Sequence, residues 1–231
     1  LYENAATDTA PVFNFVTKDF LQRDMIDVGE GAFPALVDFD GDGLTDLLVG
    51  NTYMRSLSGS CSTGIVTRIA AFRNTGSASQ PQFTHITDDW NNLSAQYSGI
   101  IACTITFGDL DNDGYLDMFS GDDNGKLHYF PNTAGVGNPI SFGIPTFDYL
   151  DNASTVIDVG QNATPQLIDL DVDSKLDLVI GEKGGNLNYY RNVGTPSAPS
   201  FQFMTDTLGD VDVSPTNNFQ GYSAPFIYLD S

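Results

Sequence analysis

The chain has 231 residues, of which 41% are hydrophobic, so it can bury a sizeable core, and its composition argues against wholesale disorder. Nine Lys and Arg stand against 30 Asp and Glu, a formal net charge of −21, which argues against nucleic acid and anionic membrane surfaces as partners. No apolar run reaches the roughly 18 residues of a membrane span, so we expect no membrane insertion.

Two motifs alternate along the chain. The acidic motif reads DFDGDGLTDLLVG from Asp38, DLDNDGYLDMFSG from Asp109 and DLDVDSKLDLVIG from Asp169. The second motif carries an asparagine at Asn4, Asn74, Asn132 and Asn192, in steps of 70, 58 and 60 residues. Two motifs locked into one period of about 60 residues predict a modular array of similar supersecondary units.

Each unit is predicted to hold four short strands, which we label A to D. In the first complete unit they are predicted at 33–39, 44–50, 68–74 and 81–86, separated by Gly, Asn, Ser and Pro clusters. No segment keeps a helical period over three turns. Tandem four-stranded units predict an all-β fold, a β-propeller in which strand A of each blade is nearest the axis.

The predicted blades cover the whole chain as a single β-propeller segment. The ranges are 1–20 (partial, strands C and D), 33–86, 104–148, 164–204 and 222–231 (partial, with strand A at 224–229). About three and a half blades do not close. The chain also opens in mid-pattern with Leu1, so we expect a piece of a longer protein, with a propeller of seven or eight blades.

The acidic loops have the spacing of a calcium site. Carboxylates at positions 1, 3, 5 and 9, with the backbone carbonyl of position 7, offer the all-oxygen cage that Ca²⁺ prefers. An EF-hand is rejected, because it needs flanking helices and a Glu at position 12. The alternative is an acidic hairpin turn without metal. The predicted ligands of about three Ca²⁺ ions are Asp38, Asp40, Asp42, Leu44 and Asp46; Asp109, Asp111, Asp113, Tyr115 and Asp117; and Asp169, Asp171, Asp173, Lys175 and Asp177.

The third loop departs from this pattern. Ser174 replaces the Gly of position 6, and Lys175 brings a positive side chain to position 7. The carbonyl of Lys175 can still serve as a ligand, so we expect a weaker site there.

These three loops resemble the FG-GAP/VCBS repeat family, known best from the propeller of integrin α-subunits, in which the corresponding loop binds Ca²⁺. The linking motif RNVGTPSAPSF resembles FG-GAP repeats of large secreted surface proteins of Bacteroidota, often exported by the type IX system. The resemblance implies an extracellular or cell-surface location. It is specific for fold and metal and weak for function, because one fold hosts many functions.

One face of the propeller is predicted to bind a partner. The B–C and D–A connections share that face, and the candidate binding patch there is Tyr53, Arg55, Trp90 and Tyr97. The alternative is that these aromatic residues pack between blades. Cys61, in the long loop 51–67, and Cys103, just before the next strand A, are predicted to form a disulfide, with two unrelated thiols as the alternative.

Two functions are compatible with the sequence. The first is a non-catalytic, calcium-stabilised scaffold for binding or adhesion that displays a surface for a protein or glycan ligand. It is favoured because no catalytic motif is present and the two histidines, His85 and His128, are expected in packing or surface positions. The alternative is an accessory or catalytic propeller of a secreted polysaccharide-acting enzyme such as a lyase.

Overall fold

The fold is known from a computed structural model, which describes residues 2–4, 12–15, 26, 28, 31–51, 68–95, 104–135, 137–214 and 220–228. The regular secondary structure of these residues is almost entirely antiparallel β-sheet, which confirms the predicted fold class. The strands are β1 (Tyr2–Asn4), β2 (Phe13–Phe15), β3 (Phe33–Val37), β4 (Asp46–Gly50), β5 (Ile69–Asn74), β6 (Phe83–Thr87), β7 (Thr104–Gly108), β8 (Asp117–Gly121), β9 (Leu127–Phe130), β10 (Thr164–Ile168), β11 (Asp177–Gly181), β12 (Leu187–Asn192) and β13 (Phe201–Thr205).

Two short 3₁₀ segments accompany the sheets, Trp90–Ala95 after β6 and Leu208–Asp210 after β13. Among the described residues, none belongs to a helix that is long and apolar enough to cross a membrane. In the described ranges, helical turns therefore occur only after the outer strands β6 and β13.

Each sheet is a meander in which neighbouring strands follow one another in the chain. The sheets are β1-β2, β3-β4-β5-β6, β7-β8-β9 and β10-β11-β12-β13. The last pair between the first and second strand of each larger sheet is Val37↔Asp46, Gly108↔Asp117 or Ile168↔Asp177. The acidic loop therefore leaves each of these sheets from the same point.

We call the blades predicted at 33–86, 104–148 and 164–204 the first, middle and third blades. The sheet of the middle blade has three strands where four were predicted. The segment after β9 runs beside it through isolated bridges, Asn132↔Phe142 and Tyr129↔Thr146, rather than a continuous ladder. Pro145 lies between these bridges, and a proline cannot donate a ladder hydrogen bond. The outer position is thus filled by irregular chain.

Adjacent blades join through their first strands, since β7 lies beside both β3 and β10. Thr104 Oγ1 donates to the carbonyl of Ala163 at 2.6 Å, and Thr164 Oγ1 donates to that of Ser223 at 2.7 Å. Residues 224–228 thus occupy the place of the next first strand. The predicted strand there is not formed within the described residues; the side chain of Gln166 instead bonds to the backbone carbonyl and N–H of Ile227 at 2.6 and 2.8 Å.

The hydrophobic core lies between the blades. The second strands of the middle and third blades, β8 and β11, are buried at every residue, because they are covered on both faces. One cluster fills the space between the first and middle sheets around Leu48, Met118 and Phe130, and another fills the space between the middle and third sheets. This packing holds the ends of the strands, and with them the acidic loops, in a fixed arrangement.

Candidate metal-binding loops

The first three aspartates of every acidic loop converge. In each triplet, one carboxylate oxygen per residue lies within 4.8 Å of the others. The triplets are Asp38, Asp40 and Asp42; Asp109, Asp111 and Asp113; and Asp169, Asp171 and Asp173. The structure therefore brings together the residues predicted at positions 1, 3 and 5.

The aspartate at position 1 organises the turn of its loop. Asp38 accepts hydrogen bonds from the backbone N–H groups of Gly41 and Gly43, both at 2.8 Å. In the third loop, Asp169 accepts them from Asp173 at 3.0 Å and Ser174 at 2.9 Å. Such carboxylate-to-backbone bonds mimic a backbone turn, so the loop has an intrinsic reason to fold in this form.

Two positions in each loop adopt positive φ angles. At position 6 the φ angles are 87°, 90° and 68° for Gly43, Gly114 and Ser174. At position 4 they are 78°, 59° and 60° for Gly41, Asn112 and Val172. A β-branched residue at positive φ is strained, so the backbone of the third loop carries more strain than that of the other two loops.

The fourth aspartate of each loop, at position 9, is fully buried and lies outside the triplet. One oxygen of each of these aspartates accepts a hydrogen bond from the backbone N–H of the asparagine of the second motif, at 2.7 Å in all three blades. The pairs are Asp46 with Asn74, Asp117 with Asn132, and Asp177 with Asn192. The other oxygen accepts an N–H from Phe39, Leu110 or Leu170 at 3.2–3.3 Å. We call the bond between the fourth aspartate and the asparagine the aspartate–asparagine link.

The asparagine continues the connection to the outer turn of the blade. Asn192 Oδ1 accepts from the backbone N–H groups of Gly194 and Ser200, both at 3.0 Å, and its amide donates to the carbonyl of Leu176 at 3.2 Å. Asn74 makes the corresponding bonds in the first blade. The two sequence motifs share one period because they contact each other, a relation that their equal spacing could have suggested.

Burial raises the pKa of the fourth aspartate in every loop, although its backbone hydrogen bonds oppose the shift. For Asp117 the pKa rises to about 6. The carboxylates of Asp111 and Asp171 add smaller increases for Asp117 and Asp177, so the fourth aspartate is close enough to the triplet to feel its charge. Its predicted role as a ligand remains a prediction.

Cationic side chains lie against two of the three triplets. Hydrogen bonding from Arg73 lowers the pKa of Asp42, and hydrogen bonding from Lys175 lowers that of Asp173. In the middle loop the pKa of Asp111 is instead raised, first by burial and then by Asp113 and Asp109. The arginines were not predicted, although the sequence distinguishes FRN and YRN in the first and third blades from FPN in the middle blade.

The remaining predicted ligands are the carbonyls of position 7. The backbone N–H of Leu44 and Tyr115 donates to the aspartate of position 5 at 2.9 Å, and that of Lys175 does so at 3.1 Å. These bonds hold the residues in the loop, while their carbonyls remain predicted ligands.

Of the predicted patch, only Trp90 is described, and it is not a surface anchor. Its side chain is 6% exposed and packs against Phe39, Phe107 and Phe142, with ring centroids 5.5–6.3 Å apart. The structure thus favours the packing alternative for this residue, because its large ring fills the space between two blades. The other members, Tyr53, Arg55 and Tyr97, and the predicted disulfide Cys61–Cys103 lie outside the described residues.

The face of the B–C and D–A connections carries a groove of about 370 Å³ beside the third blade. It is lined by Asp158, Val159, Glu182, Asn186, Asn188, Tyr190, Phe203 and Asp206. Phe203 is 47% exposed and meets Tyr190 edge to face, with ring centroids 5.3 Å apart. The groove therefore offers an accessible aromatic ring beside amide and carboxylate groups.

The two histidines lie away from the acidic loops. His128 is 2% exposed, and its Nε2 lies 3.3 Å from Asp122 Oδ2, while its Nδ1 accepts from the backbone N–H of Asp148 at 3.3 Å. His85 is half exposed and pairs with Asp88 at 2.8 Å. Both occupy packing or surface positions.

Comparison with known families supports the FG-GAP resemblance. Residues 38–120 match a family model described as an FG-GAP-like repeat, a range that includes the first two acidic loops. No curated protein matches the chain. The repeat match and the antiparallel sheets of the described residues suggest a propeller-like scaffold. The narrower resemblance to Bacteroidota surface proteins gains no support from these comparisons.

Proposed function

We propose that the chain is a calcium-binding, non-catalytic propeller scaffold that acts outside the cell or at the cell surface in binding or adhesion. The observation that carries this proposal is the convergence of three aspartates in each of three equivalent loops. The triplets would hold the ion, with the position 7 carbonyls and fourth aspartates as further oxygen donors. The ion would cancel the repulsion between carboxylates where the first two strands of each blade are joined.

The donor set fits calcium. Two oxygens bound to one Ca²⁺ at about 2.3–2.6 Å from the ion can be at most roughly 4.6–5.2 Å apart. The triplet oxygens lie within 4.8 Å of one another and therefore fit around one such ion. All donors are oxygens, which favours a hard cation over the softer metals that select His or Cys.

Two observations support a non-catalytic role. The FG-GAP repeat family, matched at residues 38–120, is generally non-catalytic. The buried His128 is enclosed by its contacts with Asp122 and Asp148, which leaves it no access to a substrate.

For the ligand we propose a glycan in the groove beside the third blade. The half-exposed ring of Phe203 offers a stacking surface, and the neighbouring Asn186, Asn188 and Asp206 offer groups that hydrogen-bond to hydroxyls. Phe203→Ala is expected to abolish binding in a glycan-panel screen. The control is Met204→Ala, which removes a residue of similar exposure, 49%, outside the groove lining. Equal binding by both variants, or capture of only protein ligands, would contradict the proposal.

The metal proposal is tested by calorimetric titration and thermal unfolding in EDTA, Ca²⁺ or Mg²⁺. A site occupied at 100 times its Kd contributes about 2.7 kcal/mol, which corresponds to roughly 5–10 °C in midpoint for a domain of this size. Asp111→Asn should remove one site. Asp210→Asn, an equal charge change at an exposed position outside the loops, should remove none. An unchanged midpoint with no heat of calcium binding refutes the proposal.

A further inference from the structure

Two arginines form ion pairs with the acidic loops in the same way. Arg73, at the end of β5, places Nε 2.7 Å from Asp40 Oδ2 and Nη2 2.9 Å from Asp42 Oδ2. Arg191, at the end of β12, places Nε 2.5 Å from Asp171 Oδ2 and Nη2 3.4 Å from Asp173 Oδ2. In both blades the guanidinium therefore spans the carboxylates of positions 3 and 5.

The middle blade lacks this arrangement. Each arginine directly precedes the asparagine of the aspartate–asparagine link, and the residue in that position before Asn132 is Pro131. In the part of the chain that the structure describes, no lysine or arginine forms an ion pair with the middle triplet. The third loop has a second cation, since Lys175 Nζ lies 3.0 Å from Asp173 Oδ2.

The three loops thus form a graded series with the same acidic motif. Among the described residues, the middle loop pairs with no cation, the first loop with one and the third loop with two. A guanidinium and a divalent ion seek the same carboxylates, and the fixed fork of arginine suits two carboxylates at once. The arginine side chains are 45% and 43% exposed, so they can turn away without disturbing the core.

We propose that Arg73 and Arg191 are internal counter-ions that balance the first and third loops in the absence of metal and compete with Ca²⁺ for them. The middle loop is then the tightest calcium site. This inference rests on the proposed function, because it concerns how strongly each loop holds the metal.

Calorimetric titration of variants tests the competition. Arg73→Gln is expected to raise calcium affinity at the first loop about fivefold, which is what removing exposed ion pairs of this kind is typically worth. Pro131→Arg should lower affinity at the middle loop by a similar factor. Pro131→Gln is its matched control, because it removes the proline without adding charge.

Knock-out variants identify the sites. Asp111→Asn should abolish the tightest binding phase, whereas Asp40→Asn and Asp171→Asn should abolish weaker ones. Thermal unfolding in EDTA gives a readout without metal. Arg73→Gln should lower the midpoint in EDTA, and Pro131→Arg should raise it relative to Pro131→Gln, because the introduced guanidinium offsets carboxylate repulsion.

The outcomes separate this inference from the proposed function. If the wild-type protein binds no calcium, both are overturned. If calcium binds but Arg73→Gln leaves its affinity unchanged or lower, or if Asp40→Asn removes the tightest phase, the competition is overturned and the proposed function stands. A fivefold gain, with loss of the tightest phase in Asp111→Asn, supports both.

Discussion

The outer and inner aspartates of one acidic loop have the same chemistry but different surroundings. The first three lie at or near the surface and converge on one point, and in the first and third loops they form ion pairs with an arginine. The fourth is fully buried and is engaged by two backbone N–H groups that join the loop to the third strand. The outer set is therefore suited to a ligand, and the inner residue to holding the blade together.

The two sets also differ in how much they vary between blades. The aspartate–asparagine link has the same 2.7 Å bond in all three blades. Within the part of the chain that the structure describes, the number of cations paired with the outer aspartates changes from none in the middle loop to two in the third. The repeat thus keeps the bond between loop and third strand unchanged while the charge around its acidic loop differs from blade to blade.

Replacing the inner aspartate should give the largest effect. In EDTA, Asp117→Ala leaves the backbone N–H groups of Leu110 and Asn132 without their acceptor, which we expect to cost about 2–5 kcal/mol in the free energy of unfolding. Denaturant unfolding measures this loss. The matched variant is Asp111→Ala, which removes an outer carboxylate that its neighbours repel.

Asp111→Ala should change the free energy of unfolding in EDTA by less than about 1 kcal/mol, while it abolishes calcium binding at the middle loop. Asp117→Ala should be destabilised in EDTA and in Ca²⁺ alike. Equal losses in the free energy of unfolding from the two variants in EDTA would show that the inner aspartate stabilises the blade no more than the outer one does.

The periodicity of the sequence predicted the sheets well, because strand, loop and turn residues recur at one spacing in every unit. It also predicted the converging triplets, since alternate aspartates in a tight loop share one side. It did not predict the aspartate–asparagine link, because spacing along the chain does not show which residues of separate strands meet. For Trp90 the sequence left a surface patch and packing between blades both open, because a place in a loop carries no signal of burial, and its 6% exposure favours packing.

Other differences come from local backbone geometry. Position 6 is Gly in the first two loops and has a positive φ in all three, but position 4 needs a positive φ as well, and Val172 adopts it although it is β-branched. In the middle blade, Pro145 interrupts the predicted outer strand. The two arginines are visible in the sequence, each directly before the asparagine. Their contact with the acidic loop depends on how the strands pair, which the sequence does not show.

The pH dependence of stability sharpens the contrast between inner and outer aspartates with a smaller effect. Burial raises the pKa of Asp117 to about 6 in the folded protein, from 3.8. The folded state then binds the proton more tightly than the unfolded state, so this stabilisation is complete below pH 3.8 and is lost as the pH rises through about 6. Stability in EDTA should therefore fall between about pH 4 and 7 on account of this group.

The free energy of unfolding, measured across that range for the wild type and Asp117→Asn, isolates the effect. Because the histidines titrate in the same window, the quantity to compare is the difference between the two proteins. The asparagine variant should show a flatter profile in EDTA. With saturating Ca²⁺ the wild-type trend should reverse, because metal binding favours ionised carboxylates and strengthens as they lose their protons. Parallel profiles for the two proteins in EDTA would mean that the inner aspartate is not the group that titrates.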